Sequence, residues 1–99
     1  MDIAGKASAI SLKEWNTLTF KIRIKTTYAG DEDGRWGGVY VSTSKNDTSA
    51  VKYAYFGNVT TSLVSKTLTL DVSSLTGNYY IFVAGGNGTT VYVDSILLT

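Results

Sequence analysis

From residue 18 to residue 25 apolar and polar side chains alternate without a fault, with Leu18, Phe20, Ile22 and Ile24 on one parity and Thr19, Lys21, Arg23 and Lys25 on the other. Successive side chains of a pleated strand point to opposite faces, so residues 17–27 are expected to form a strand with a buried apolar face and a wet, cationic one. The same grammar recurs in residues 67–72, where Leu68, Leu70 and Val72 alternate with Thr67, Thr69 and Asp71. Further strands are expected over residues 9–12, 39–41, 51–56, 79–84 and 90–98, with Tyr53 and Tyr55 on one face of their strand and Ala54 and Phe56 on the other. Turn residues punctuate these runs. Ser73, Ser74, Thr76, Gly77 and Asn78 form one cluster, and the Gly85-Gly86-Asn87-Gly88 run reads as a hairpin connection.

No stretch carries a helical period. Seven or eight short strands, spaced at intervals of roughly a dozen residues, predict an all-β fold, an antiparallel two-sheet β-sandwich, with a jelly roll as the favoured topology. In the last strand Val91 and Val93 share one parity while Ile96 and Leu98 share the other. Keeping all four inward requires an extra residue near Asp94 and Ser95, so a β-bulge is expected there. The regular alternative would aim the Asp94 carboxylate at the core.

Composition narrows what such a domain can do. Its 99 residues suit one domain, read as a sandwich over residues 9–99 preceded by a linker or docking arm over residues 1–8. With neither cysteine nor histidine there is no disulfide framework, no thiol nucleophile, no imidazole base and no zinc site built on those ligands. No recognisable nucleophile and base pair remains, so the chain reads as a non-enzyme. A formal net charge of +1 with scattered signs argues against nucleic acid as a partner. No apolar run approaches the ~20 residues of a spanning helix, which argues against membrane insertion.

The glycine-rich loop of residues 28–38 concentrates Asp31, Glu32 and Asp33. Clustered carboxylates suit calcium, although the spacing does not match an EF-hand loop, and a solvated acidic loop is the simpler reading; no other cofactor is expected. Trp36, beside Arg35, either presents a stacking platform at the tip of that loop or plugs the end of the sandwich. Tyr40 stands between Val39 and Val41, Tyr80 and Phe82 flank Ile81, and Tyr92 lies between Val91 and Val93. If the aliphatics point inward, these aromatics point outward, where they can stack on sugar rings or form a protein interface. Inverting the parity makes them ordinary packing. Three Asn-X-Thr triplets match the N-glycosylation pattern, which carries no weight in a chain this rich in Asn and Thr.

The run LTLDVSSLTGNYYIFVAG followed by TVYVDSILLT, with EWNTLTFKIRIK upstream, resembles the jelly-roll modules related to carbohydrate-binding and galactose-binding-like domains. It looks especially like versions in tail-fibre and other minor structural proteins of phages and prophages from gut Firmicutes. The resemblance covers residues 10–99, and its motifs are structural. It implies a module of a virion or an extracellular cell surface, with host glycan or other virion subunits as partners and self-association as one mode of assembly. No binding residue is carried over from the family, whose sugar-contacting loops differ among members; the expected contact residues Trp36, Arg35, Tyr40, Tyr80, Phe82 and Tyr92 rest on their own loop position and strand parity. The alternative is a fibre or capsid-decoration subunit whose aromatic face serves assembly.

Overall fold

A computed structural model describes residues 1–4, 8–27, 37–45, 49–57, 59–86 and 88–99. Seven strands form among them: β1 (Ile10–Ser11), β2 (Thr17–Thr26), β3 (Gly37–Ser42), β4 (Lys52–Tyr55), β5 (Val64–Asp71), β6 (Asn78–Gly85) and β7 (Thr89–Leu98). They build a four-stranded sheet in the order β1-β6-β3-β4 and a three-stranded sheet in the order β5-β2-β7, every pair antiparallel. The all-β two-sheet sandwich expected from the alternation is what the chain forms.

Its centre is the faultless strand. β2 lies between β5 and β7, and its inward residues Leu18, Phe20, Ile22 and Ile24 are all buried. Facing them from the other sheet are Val39 and Val41 of β3, fully buried, with Ile81, Val83 and Ala54 partly buried against the same cluster. Both inner faces are therefore apolar, and their removal from water is the main favourable term in holding the sheets together.

The bulge falls where the parity change requires it. Lys21 pairs with Ser95 and Ile22 with Val93, which leaves Asp94 as the extra residue. Ile96 and Leu98 are thereby buried and Val91 packs against the core, whereas Val93, opposite Ile22, stays 41% exposed. Three of the four aliphatics reach the interior, and Val93, beside the extra residue, does not.

Two similar turns close one end. Trp15 N–H donates to the Leu12 carbonyl at 3.1 Å and Leu75 N–H to the Val72 carbonyl at 3.0 Å. Leu12 and Val72 are fully buried and Trp15 and Leu75 pack on the cluster, so each turn tucks an apolar pair under the sheets. Asp71 fixes the second turn by accepting from the Ser73 N–H at 2.9 Å and its hydroxyl at 2.6 Å. Those two hydrogen bonds hold the Asp71 carboxyl below the usual aspartate range.

The N-terminal residues lie along the free side of β7. Ile3 N–H donates to the Ile96 carbonyl at 2.8 Å, Leu98 N–H to the Met1 carbonyl at 2.9 Å, and Ile3 is buried. With the Asp2–Leu97 bridge counted, pairing is nested: the first segment with β7, β1 with β6, β2 with β5, β3 with β4. Only β3 and β4 are both consecutive and paired. Every other link between consecutive strands crosses from one sheet to the other, including that from β6 to β7, which is therefore not the hairpin connection expected from the glycines. There the Thr89 N–H donates to Gly86 at 3.1 Å and Gly88 takes φ +75°.

Candidate aromatic face

The outer surface of the β6-β3-β4 strands collects aromatics in cross-strand rows. Tyr40 of β3 stands opposite Phe82 of β6 on one side and Tyr53 of β4 on the other, while Gly38 stands opposite Ala84 and Tyr55. Tyr80 neighbours Ser42 one row further on. Tyr40 and Phe82 fall on this side because both strand neighbours of each, Val39 and Val41 or Ile81 and Val83, pack inward, and Tyr53, Tyr55 and Tyr80 share that side through the pairing and the strand alternation.

The rings divide into a covered pair and an open pair. Tyr40 and Phe82 stack with centroids 5.3 Å apart at 24°, and Tyr40 is only 5% exposed although it points away from the core. Tyr53 and Tyr55, two residues apart on the edge strand, have centroids 5.3 Å apart at 49° and are 52% and 50% exposed. Two tilted, half-exposed phenol rings thus stand beside a stacked aromatic pair. Such an arrangement can take the C–H face of a sugar or the apolar edge of a protein partner, with the hydroxyls supplying directional bonds.

Burial, and after it the proximity of Tyr55, pushes the Tyr40 phenol above the ordinary tyrosine value of about 10. Desolvation penalises the phenolate, so the folded state holds this proton more tightly than the unfolded chain does. The contribution is fully present below about pH 10 and is lost as pH rises through the Tyr40 value. An ultraviolet pH titration of the phenolate band is expected to show a late-titrating component that Tyr40→Phe removes, and its persistence in that variant would assign it elsewhere.

Of the six expected contact residues, the fold brings Tyr40, Tyr80 and Phe82 together. Tyr92 stands on the outer face of the other sheet, opposite Arg23, so the four outward aromatics do not make one surface. There the Arg23 guanidinium lies 5.4 Å from the Tyr92 ring centroid and grips Asp94 through Nε and Nη2, with the ion pair at 2.9 Å. Hydrogen bonding to Asp94, and then its charge, raises the pKa of the guanidinium. Tyr53 and Tyr55 complete the aromatic face. The alternation of Tyr53, Ala54, Tyr55 and Phe56 signals their outward parity, but only the β3–β4 pairing joins them to Tyr40.

Trp36, Arg35 and the carboxylates Asp31, Glu32 and Asp33 lie outside the described residues. Among the described residues no group of three carboxylates gathers to hold a cation. A shallow hollow of about 260 Å³, lined by Ser11, Lys13, Glu14 and Trp15, sits at the β1–β2 connection and includes none of the aromatic face.

The fold and this face define a small two-sheet antiparallel sandwich with an aromatic outer surface. Comparison with protein-family models, curated proteins and solved structures finds no match to the chain.

Proposed function

We propose that this chain is a non-enzymatic recognition module of a virion or cell surface, and that it holds carbohydrate on the outer face of β6, β3 and β4. The observation that carries this reading is the exposure of Tyr53 and Tyr55 beside the covered Tyr40–Phe82 stack. Large aromatics left half in water on a strand edge contribute little to the core and are disposed to cover a ligand. The nested pairing supports a jelly-roll topology for the module, with the Asp2 segment as a reduced first strand. Trp36 and Arg35 remain loop candidates on the strength of the sequence alone.

A second reading has its own support. Val51, at the start of the same edge, is 48% exposed, so the strip also suits burial against another subunit in a fibre or capsid.

Light scattering on the isolated chain followed by a glycan array separates the two. A monomer that binds a defined sugar, and loses at least about tenfold in affinity (~1.4 kcal/mol) on joint Tyr53→Ala and Tyr55→Ala substitution, supports the first. A closed oligomer that the same substitutions dissociate, with a silent array, replaces it with the second.

A further inference from the structure

We propose a second binding surface on the opposite side of the sandwich, the outer face of β5, β2 and β7, fitted to an acidic polysaccharide. Lys21, Arg23 and Lys25 project outward in succession along the central strand, all exposed and separated by roughly 6.6 Å per step on an extended strand. Arg23 is committed to Asp94. Among the described residues Lys21 and Lys25 are in no ion pair, which leaves two lysines whose Cα atoms are about 13 Å apart along the strand, with a partly neutralised guanidinium between them.

The neighbouring strands add hydroxyls and a ring. Thr67 lies beside Lys21, Ser65 and Tyr92 flank Arg23, and Thr90 lies beside Lys25. Tyr92 is 45% exposed and lies against the guanidinium, so one side of its ring is available for stacking. Among the described residues the other carboxylates of this face stand beyond Lys21, Asp71 opposite Thr17 and Asp2 opposite Leu97, itself the partner of Thr19. A strip of spaced cations, hydroxyls and one aromatic matches a linear polymer that carries carboxylates at intervals among sugar hydroxyls. Two uncommitted cations are too few for a duplex of DNA, where affinity is built on many phosphate contacts.

This face shares no residue with the aromatic one, so the two surfaces are tested independently. Polygalacturonate is the probe, with dextran as the neutral control and a DNA duplex as the competing polyanion, using the whole chain so that Asp31, Glu32 and Asp33 are included. Retardation by polygalacturonate but not by dextran is expected at low salt, weakening as salt screens the charges. The double variant K21Q/K25Q is expected to lose about tenfold in affinity, and D94N, which releases Arg23, to gain several-fold. The pair Tyr53→Ala and Tyr55→Ala is expected to change nothing here. Absence of retardation, an unaltered K21Q/K25Q variant, or tighter binding of DNA than of polygalacturonate would overturn the proposal.

Discussion

Replacing Gly37 with alanine is expected to destabilise the sandwich by about 2–6 kcal/mol, combining ~1–3 for a non-glycine residue forced into a left-handed conformation with ~1–3 for overpacking. Gly37 opens β3 at φ +126°, opposite Gly85 of β6, and its carbonyl accepts from the Phe56 N–H at 3.1 Å. An added methyl would overlap the Ala84 carbonyl oxygen and stand 2.8 Å from the Ala84 carbonyl carbon and the Gly85 Cα. All three are backbone atoms of a paired strand, so no side chain can rotate aside; β3 must separate from β6 or change conformation. Stability of a domain this size is about 5–15 kcal/mol, so the lower part of that range would be largely consumed. Denaturant unfolding checks it, with Gly77→Ala as the control, since a methyl there meets only the Tyr79 ring at 3.5–3.7 Å. A G37A midpoint equal to that of G77A would show that the β3–β6 approach tolerates a side chain.

How far such a site can be read from sequence depends on which symmetry the residues obey. Parity along one strand is local, so β2 is legible from residues 18–25 alone, and the bulge at Asp94 follows from the clash between the Val91/Val93 and Ile96/Leu98 registers. The same parity turns Tyr40, Tyr80, Phe82 and Tyr92 away from the aliphatics. It cannot say which sheet a strand joins, and Tyr92 accordingly lies across the sandwich from the other three. Tyr53 and Tyr55 show the converse case. Their outward face is legible, but their place beside Tyr40 depends on β3 pairing with β4 rather than with a more distant strand. The run at residues 85–88 is ambiguous for the same reason, because glycines that permit a hairpin equally permit a corner between sheets. Burial on the outer face is a third level, beyond parity: Tyr40 is covered because Phe82 and Tyr53 stand on its two sides, and that needs the whole strand order.

Phe20→Ala should cost about 3–5 kcal/mol, the range for removing a fully buried aromatic and leaving a cavity that the surroundings fill only in part. Phe20 is 0% exposed at the middle of β2, held between Leu68 of β5 and Ile96 of β7. Because it is flanked by paired backbone on both sides, its strand cannot settle inward without disturbing two ladders, which places the expected cost toward the upper end. Ile22→Val two residues along removes a single methylene and is expected to cost about 0.5–1.5 kcal/mol. Denaturant titration of the two variants, with unchanged m-values, tests the difference; a Phe20→Ala loss below about 2 kcal/mol would mean that the sheets close over the gap. The strands of the aromatic face all belong to the other sheet. Under conditions where Phe20→Ala remains folded, its affinity for whatever Tyr53 and Tyr55 hold should therefore match that of the unsubstituted chain, while the Tyr53→Ala and Tyr55→Ala pair should lose binding with its unfolding midpoint nearly unmoved. That crossed pattern separates recognition from stability within one small domain, and loss of both properties in both variants would mean that the face is not a preformed surface.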